Sequence, residues 1–123
     1  MYIPDHFEFV ETPPALVDLC LDDSVSNRNQ LFDTYARELS FPDYFGRNWD
    51  AFVDCLSDLS WIDQDVVVVM HRAIPALPEP EQRTYVTCLQ DVVARWREGE
   101  RPRVRIFFRE DDRSRIDRLF AEG

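Results

Sequence analysis

Hydrophobic positions along the chain fall into runs of two periods. Leu31, Phe32, Tyr35 and Leu39 recur at three- and four-residue steps, with Arg28, Asp33, Arg37 and Glu38 among them. That is the period of a helix with one buried face. Ser26 or Asn27 can cap its start. It should stop near Ser40, because Pro42 confines Phe41 to extended backbone. Trp49, Phe52, Val53, Leu56 and Leu59 form a second helical face, with Asn48 as its N-cap. Gly46, just before it, suggests a backbone position that a Cβ would make costly.

Val66-Val-Val-Val-Met70 has no polar alternation. Such a run predicts a central strand covered on both faces, as in a parallel sheet. Pro75, Pro78 and Pro80 mark a loop. From Glu79 to Glu98 the helical period returns, with Tyr85, Cys88, Leu89, Val92, Val93 and Trp96 as the apolar stripe and Gly99 as the stop. Val104 to Phe108 reads as the last strand. Arg109 to Phe120 is charged, with Ile116, Leu119 and Phe120 as a small apolar face, and predicts a short, weakly docked terminal helix.

The N-terminal part leaves two readings open. Phe7 to Val10 alternates like a strand, Pro13-Pro14 break it, and Ala15 to Leu21 is a second strand candidate. Either segment can supply the first strand of the sheet. The predicted architecture is α/β: a small, mainly parallel three-stranded sheet, with one extra N-terminal strand left open, packed with three to four helices. A single domain is expected over residues 1–123, with a core at about 15–108 and a helical extension at 109–123.

Composition narrows the function. The chain has 123 residues and a formal net charge of −10, from 24 acids against 14 bases. All the bases are arginine. An excess of acid argues against nucleic-acid backbones and anionic membranes, and favours association with something basic. No apolar run approaches a membrane span, and Met1 to His6 shows no signal-peptide pattern. A cytoplasmic location is the expectation. Cys20, Cys55 and Cys88 sit among apolar neighbours and are expected as buried, reduced thiols.

Candidate chemistry for an enzyme is thin. His6 and His71 are the two histidines, and a lone histidine at a strand end is usually structural. No glycine-rich phosphate loop, nucleophile motif or metal-ligand spacing occurs. Asp50 and Asp54 could form a carboxylate pair, but the sequence offers them neither a metal nor a pocket. No catalytic residue, cofactor or metal is expected, and the chain is read as a non-enzyme.

One acidic pattern stands out. Asp50, Asp54 and Asp58 recur at four-residue steps, and Asp43 lies just ahead of their helix. Like charges at that spacing destabilise a helix by roughly 0.2–0.5 kcal/mol per pair. Only Asp50 is well placed to be offset by the helix dipole. The row reads either as a solvated outer face or as an anionic surface for a cationic partner.

The surrounding stretch, Phe41-Pro-Asp-Tyr-Phe-Gly-Arg-Asn-Trp-Asp-Ala-Phe-Val-Asp-Cys-Leu56, resembles the signature of the barstar family of intracellular ribonuclease inhibitors. Tyr44, Phe45, Gly46, Asn48, Asp50, Ala51, Asp54, Cys55 and Leu56 fall on the family pattern, nine positions within thirteen residues. The resemblance implies an inhibitor, or immunity protein, that enters the active-site cleft of a basic, extracellular-type ribonuclease, barnase-like or a divergent toxin. It implies that Asp54 mimics a substrate phosphate and that Asp50 pairs with a neighbouring cation. Tyr44 would pack in the cleft. Gly46 and Asn48 would shape the loop, and Asn48 would also bond the partner. Phe45 keeps the aromatic bulk without a hydroxyl, and Asp43, Arg47 and Asp58 complete the surface. Where the family has an aliphatic residue and a tryptophan, this chain has Trp49 and Val53. The family's further acidic contact, from the end of the long helix, reaches Glu98 or Glu100 only through a gap. A free monomer is expected, since inhibition needs one copy. A second reading stays open: a barstar-fold regulatory module with a basic partner that is not a nuclease.

Overall fold

The computed structural model describes residues 7–121; His6 lies outside them. Four strands and four helices follow in the order β1 (Phe7–Val10), β2 (Leu19–Leu21), α1 (Arg28–Glu38), α2 (Trp49–Asp58), β3 (Val66–His71), α3 (Glu79–Arg95), β4 (Arg103–Arg109) and α4 (Arg113–Ala121). A single 3-10 turn, Glu110–Asp112, joins β4 to α4.

The strands form one sheet in the order β1-β4-β3-β2, with every neighbouring pair parallel. The two readings of the N-terminus are therefore both realised. Leu19–Leu21 pairs with β3 at one edge, and Phe7–Val10 pairs with β4 at the other. The sheet has four strands where three formed the minimum expectation. The segment between β1 and β2, residues 11–18, must cross the two central strands. Three strand spacings are about 14 Å, which a short extended segment spans easily.

That crossing corrects one expectation about β3. The strand is central, but helices cover one of its faces. The ladder places Phe7 beside Ile106, Val69 beside Ile106 and His71 beside Phe108. This is the helix side: Tyr85 of α3 packs on His71, and Phe120 of α4 packs on Phe7. The opposite face carries Glu8, Cys20, Val66, Val68, Met70, Arg105 and Phe107, set by the two-residue alternation of strands. There the crossing segment leaves the face partly open, with Pro13 and Val17 lining a shallow hollow together with Cys20, Met70 and Arg72. Arg105 lies over the Phe107 ring and pairs with both oxygens of Glu8, at 2.6 and 2.7 Å. Cys20 is consequently exposed, against expectation, because its neighbours Leu19 and Leu21 take the buried side. Cys55 and Cys88 are buried and free.

The helices close a largely aromatic core. Tyr35 of α1, Phe52 of α2 and Tyr85 of α3 are fully buried and in ring contact. Asn27 is the N-cap of α1, its side chain accepting from Gln30 N at 2.9 Å. At the end of α3 the structure departs from the pattern. The helix stops at Arg95, ahead of Glu98, and Trp96 is already extended. Arg97 Nη1 donates to the carbonyls of Ala94, Arg95 and Trp96, while Glu100 accepts from Arg97 N at 2.6 Å. These bonds satisfy groups that another helical turn would otherwise use. Gly99 is left-handed, φ 94°, in the loop beyond. Helix α4 is anchored more firmly than its small apolar face suggested. Ile116 and Leu119 are buried, and Arg83 of α3 donates to Leu119 O at 3.2 Å.

Candidate functional site

The loop from Phe41 to Arg47 and the outer face of α2 form one continuous surface. Helix α2 starts where Asn48 Oδ1 accepts from Ala51 N at 2.8 Å, and it ends at Leu59 in left-handed backbone. Phe52, Val53, Cys55, Leu56 and Leu59 are buried beneath it. With that face fixed inward, Asp50, Asp54 and Asp58 must face out, and all three are exposed. At 1.5 Å rise and 100° per residue, they span about 12 Å of axis within an arc of about 80°.

The loop is held from below. Phe45 turns inward, edge-on to Phe32 at 5.4 Å and to Phe41 at 5.0 Å. It therefore supports the loop, and Tyr44 beside it is 77% exposed. Phe45 N donates to Pro42 O at 2.9 Å and closes the turn. Asp43 and Asn48 are exposed.

A Cβ at Gly46 is costly, as expected, and the reason is space rather than backbone angle. Left-handed backbone falls on Arg47, with φ 54°. At Gly46 the constraint is space: a Cβ would lie 3.3 Å from Asn48 Nδ2, which itself donates to Gly46 O at 3.4 Å. Arg47 is tied back to α1, 2.9 Å from Asp33 and 3.3 Å from Asn29 O. Of the nine candidate residues, the structure thus brings all but the half-buried Phe45 to the surface. It uses Phe45, Gly46 and Arg47 chiefly to shape it.

One contact was not legible as a pairing in the sequence. Arg95 Nη1, on α3, lies 3.4 Å from Asp54 Oδ1. Both side chains are more than half exposed, at 56% and 74%. Ion pairs of that kind contribute roughly 0–1 kcal/mol, so the pair does not withdraw Asp54 from solvent or from a partner. The available signal was an arginine in the region where the resemblance implies an acid.

The acidic face is also felt inside the protein. Burial, followed by the carboxylates of Asp54 and Asp58, raises the thiol pKa of Cys55. Burial, then Asp91 and Asp50, pushes that of Cys88 up to about 11. Both thiols stay protonated and apolar at neutral pH.

His71 is fully buried in the core, with both ring nitrogens engaged. Among the described residues, no group of three or more His, Cys, Asp or Glu is placed to hold a metal. No helix among them is long and apolar enough to cross a membrane. The arrangement can offer fixed carboxylates and an exposed phenol to a cationic, concave surface.

The profile of the family described as Barstar (barnase inhibitor) matches residues 17–109. This chain belongs to the barstar family. The matched segment runs from just before β2 to the end of β4 and holds every candidate residue, whereas β1 and α4 lie outside it. A curated relative from Bacillus subtilis (strain 168), named "Putative ribonuclease inhibitor YrdF", is 43% identical over 44 residues. That alignment covers 36% of this chain and 46% of the relative. The chain therefore matches about half the relative's length.

Proposed function

We propose that this barstar-family chain inhibits a basic ribonuclease by docking the loop before α2 and the outer face of α2 into its active-site cleft. The observation that carries the reading is the outward row of Asp50, Asp54 and Asp58 on a helix whose other face is locked in the core. A ribonuclease cleft concentrates positive charge to hold RNA. A carboxylate on a rigid helix can satisfy that charge while offering no bond to cleave. Charge-assisted hydrogen bonds to arginine are about twice as strong as neutral ones. Asp54, at the centre of the row, takes the place of a substrate phosphate. Asp50 pairs with a second cation, and Tyr44 fills the cleft beside them. The partner is a secreted-type toxin nuclease, and the inhibitor acts as an immunity protein in the producing cell's cytoplasm, as one copy per nuclease.

The test is a titration against a barnase-type ribonuclease, following RNA cleavage. Cleavage should stop at one inhibitor per enzyme. Asp54→Ala, with an unchanged melting temperature, should weaken inhibition by roughly 30-fold or more. That corresponds to about 2 kcal/mol, a magnitude that belongs to measured barnase–barstar complexes, whose inhibitor is of this same family. Full inhibition by Asp54→Ala would remove that carboxylate from the mechanism. No inhibition by the wild-type chain would remove this class of nuclease as the partner.

A further inference from the structure

Asp54 has an intramolecular partner that Asp50 and Asp58 lack among the described residues. Arg95 reaches it across the α2–α3 seam at 3.4 Å. The same arginine lines a cleft of about 330 Å³ together with Ser57, Asp58, Trp96, Glu100 and Arg101. Within that cleft Asp58 and Glu100 form no ion pair among the described residues. Asp58 accepts from Ser60 Oγ at 3.3 Å, and Glu100 accepts from Arg97 N at 2.6 Å. Ser57 Oγ is buried there without a hydrogen-bond partner. Arg101 is already paired with Asp63 and Asp65. The cleft therefore offers two carboxylates, with no competing cation free to take them among the described residues that line it.

We infer that Arg95 is an autoinhibitory latch: it occupies Asp54 in the free protein and swings into this cleft when a partner's cation takes its place. The inference rests on reading α2 as the docking face. A pair as exposed as Arg95–Asp54 is held by a factor of about five at most, so exchange is cheap. Any cation that reaches Asp54 must displace Arg95, so the latch lowers the affinity of every such partner by the same factor. A guanidinium still suits the carboxylate better than an ammonium does, with or without Arg95, so the latch sets the strength of docking and leaves the choice of cation to Asp54.

A test free of any nuclease uses tetra-arginine and tetra-lysine peptide amides at low salt, with binding followed by calorimetry. Arg95→Ala should bind both peptides about two- to fivefold more tightly, the range set by an exposed ion pair, and by the same factor for each. In an Asp54→Asn background the same substitution should have no effect. Glu100→Gln should weaken binding when Arg95 is present and do nothing in Arg95→Ala, because its role is to receive the displaced guanidinium. Arg118→Ala, on α4, controls for the change in net charge. Equal or weaker binding by Arg95→Ala overturns the latch, as does an equal gain in the Asp54→Asn background or in Arg118→Ala, or no binding by any form at millimolar peptide. Failure to inhibit a ribonuclease would leave these outcomes untouched.

Discussion

Arg47 stands in left-handed backbone, φ 54°, although a Cβ there clashes with the chain's own carbonyls. Its side chain offsets part of that cost by reaching Asp33 and Asn29 on α1. Replacing it separates the two effects. Arg47→Gly and Arg47→Ala both lose the tie to α1, but only alanine keeps the strain. Arg47→Ala should be less stable than Arg47→Gly by about 1 kcal/mol, read from urea midpoints. Equal midpoints would show that the loop relaxes its backbone. Residue chemistry was legible where one side chain acts on its own neighbours. Asn48 announces a cap because its oxygen reaches the next free N–H groups. The left-handed position was not legible: nothing in the sequence marks Arg47 for it, whereas the cost of a Cβ at Gly46 was expected and comes from the nearby Asn48 amide.

Helices α1 and α3 and strands β3 and β4 are joined by a buried chain of hydrogen bonds. A carbonyl only accepts, so His71 Nδ1–H donates to Phe107 O at 2.9 Å. His71 Nε2 must then accept from the Tyr85 hydroxyl at 2.7 Å, and Tyr85 accepts from Tyr35, also at 2.7 Å. The direction of every bond is fixed only while His71 is neutral. Burial pushes its pKa down from the ordinary 6.5 to about 4, partly opposed by the bond to Phe107 O. As pH falls below 6.5 the unfolded chain gains a proton that the folded chain refuses until about pH 4. The stabilisation is therefore full above pH 6.5, shrinks through that window and levels off below it. The loss is roughly 3 kcal/mol from this one group. Urea midpoints at pH 7, 5.5 and 4.5, compared between wild type and His71→Gln, isolate it from the carboxylates. The wild type should lose more stability, and parallel curves would refute the assignment. His71 was legible as a structural histidine, but the chain it belongs to was not, because its partners lie 14 and 36 residues away. The same holds for the end of α3. The stripe continues to Trp96, and the stop comes from Arg97 folding back on three carbonyls.

At the scale of the molecule, the pattern of elements predicted the order of the core but not the width of the sheet. A three-residue β2 and a four-residue β1 carry little periodicity, and their places at opposite edges are set by distant partners in β3 and β4. The charge was legible from composition, and the fold gives it a direction. With 24 acids against 14 bases, the molecule carries −10, and the outer face of α2 adds exposed carboxylates to that field. Such a field accelerates encounter with a cationic cleft by about tenfold or more when unscreened. Its reach is the Debye length, about 10 Å at 0.1 M salt and 3 Å at 1 M. The association rate constant with a barnase-type ribonuclease, measured by stopped-flow fluorescence, should therefore fall by roughly tenfold or more between 0.01 and 1 M sodium chloride. Dissociation should change much less, because the docked carboxylates are sheltered from the ions. Asp58→Asn should lower the rate at 0.01 M and have little effect at 1 M, where its charge is already screened. A rate independent of salt, with inhibition intact, would mean that shape and not charge guides the encounter.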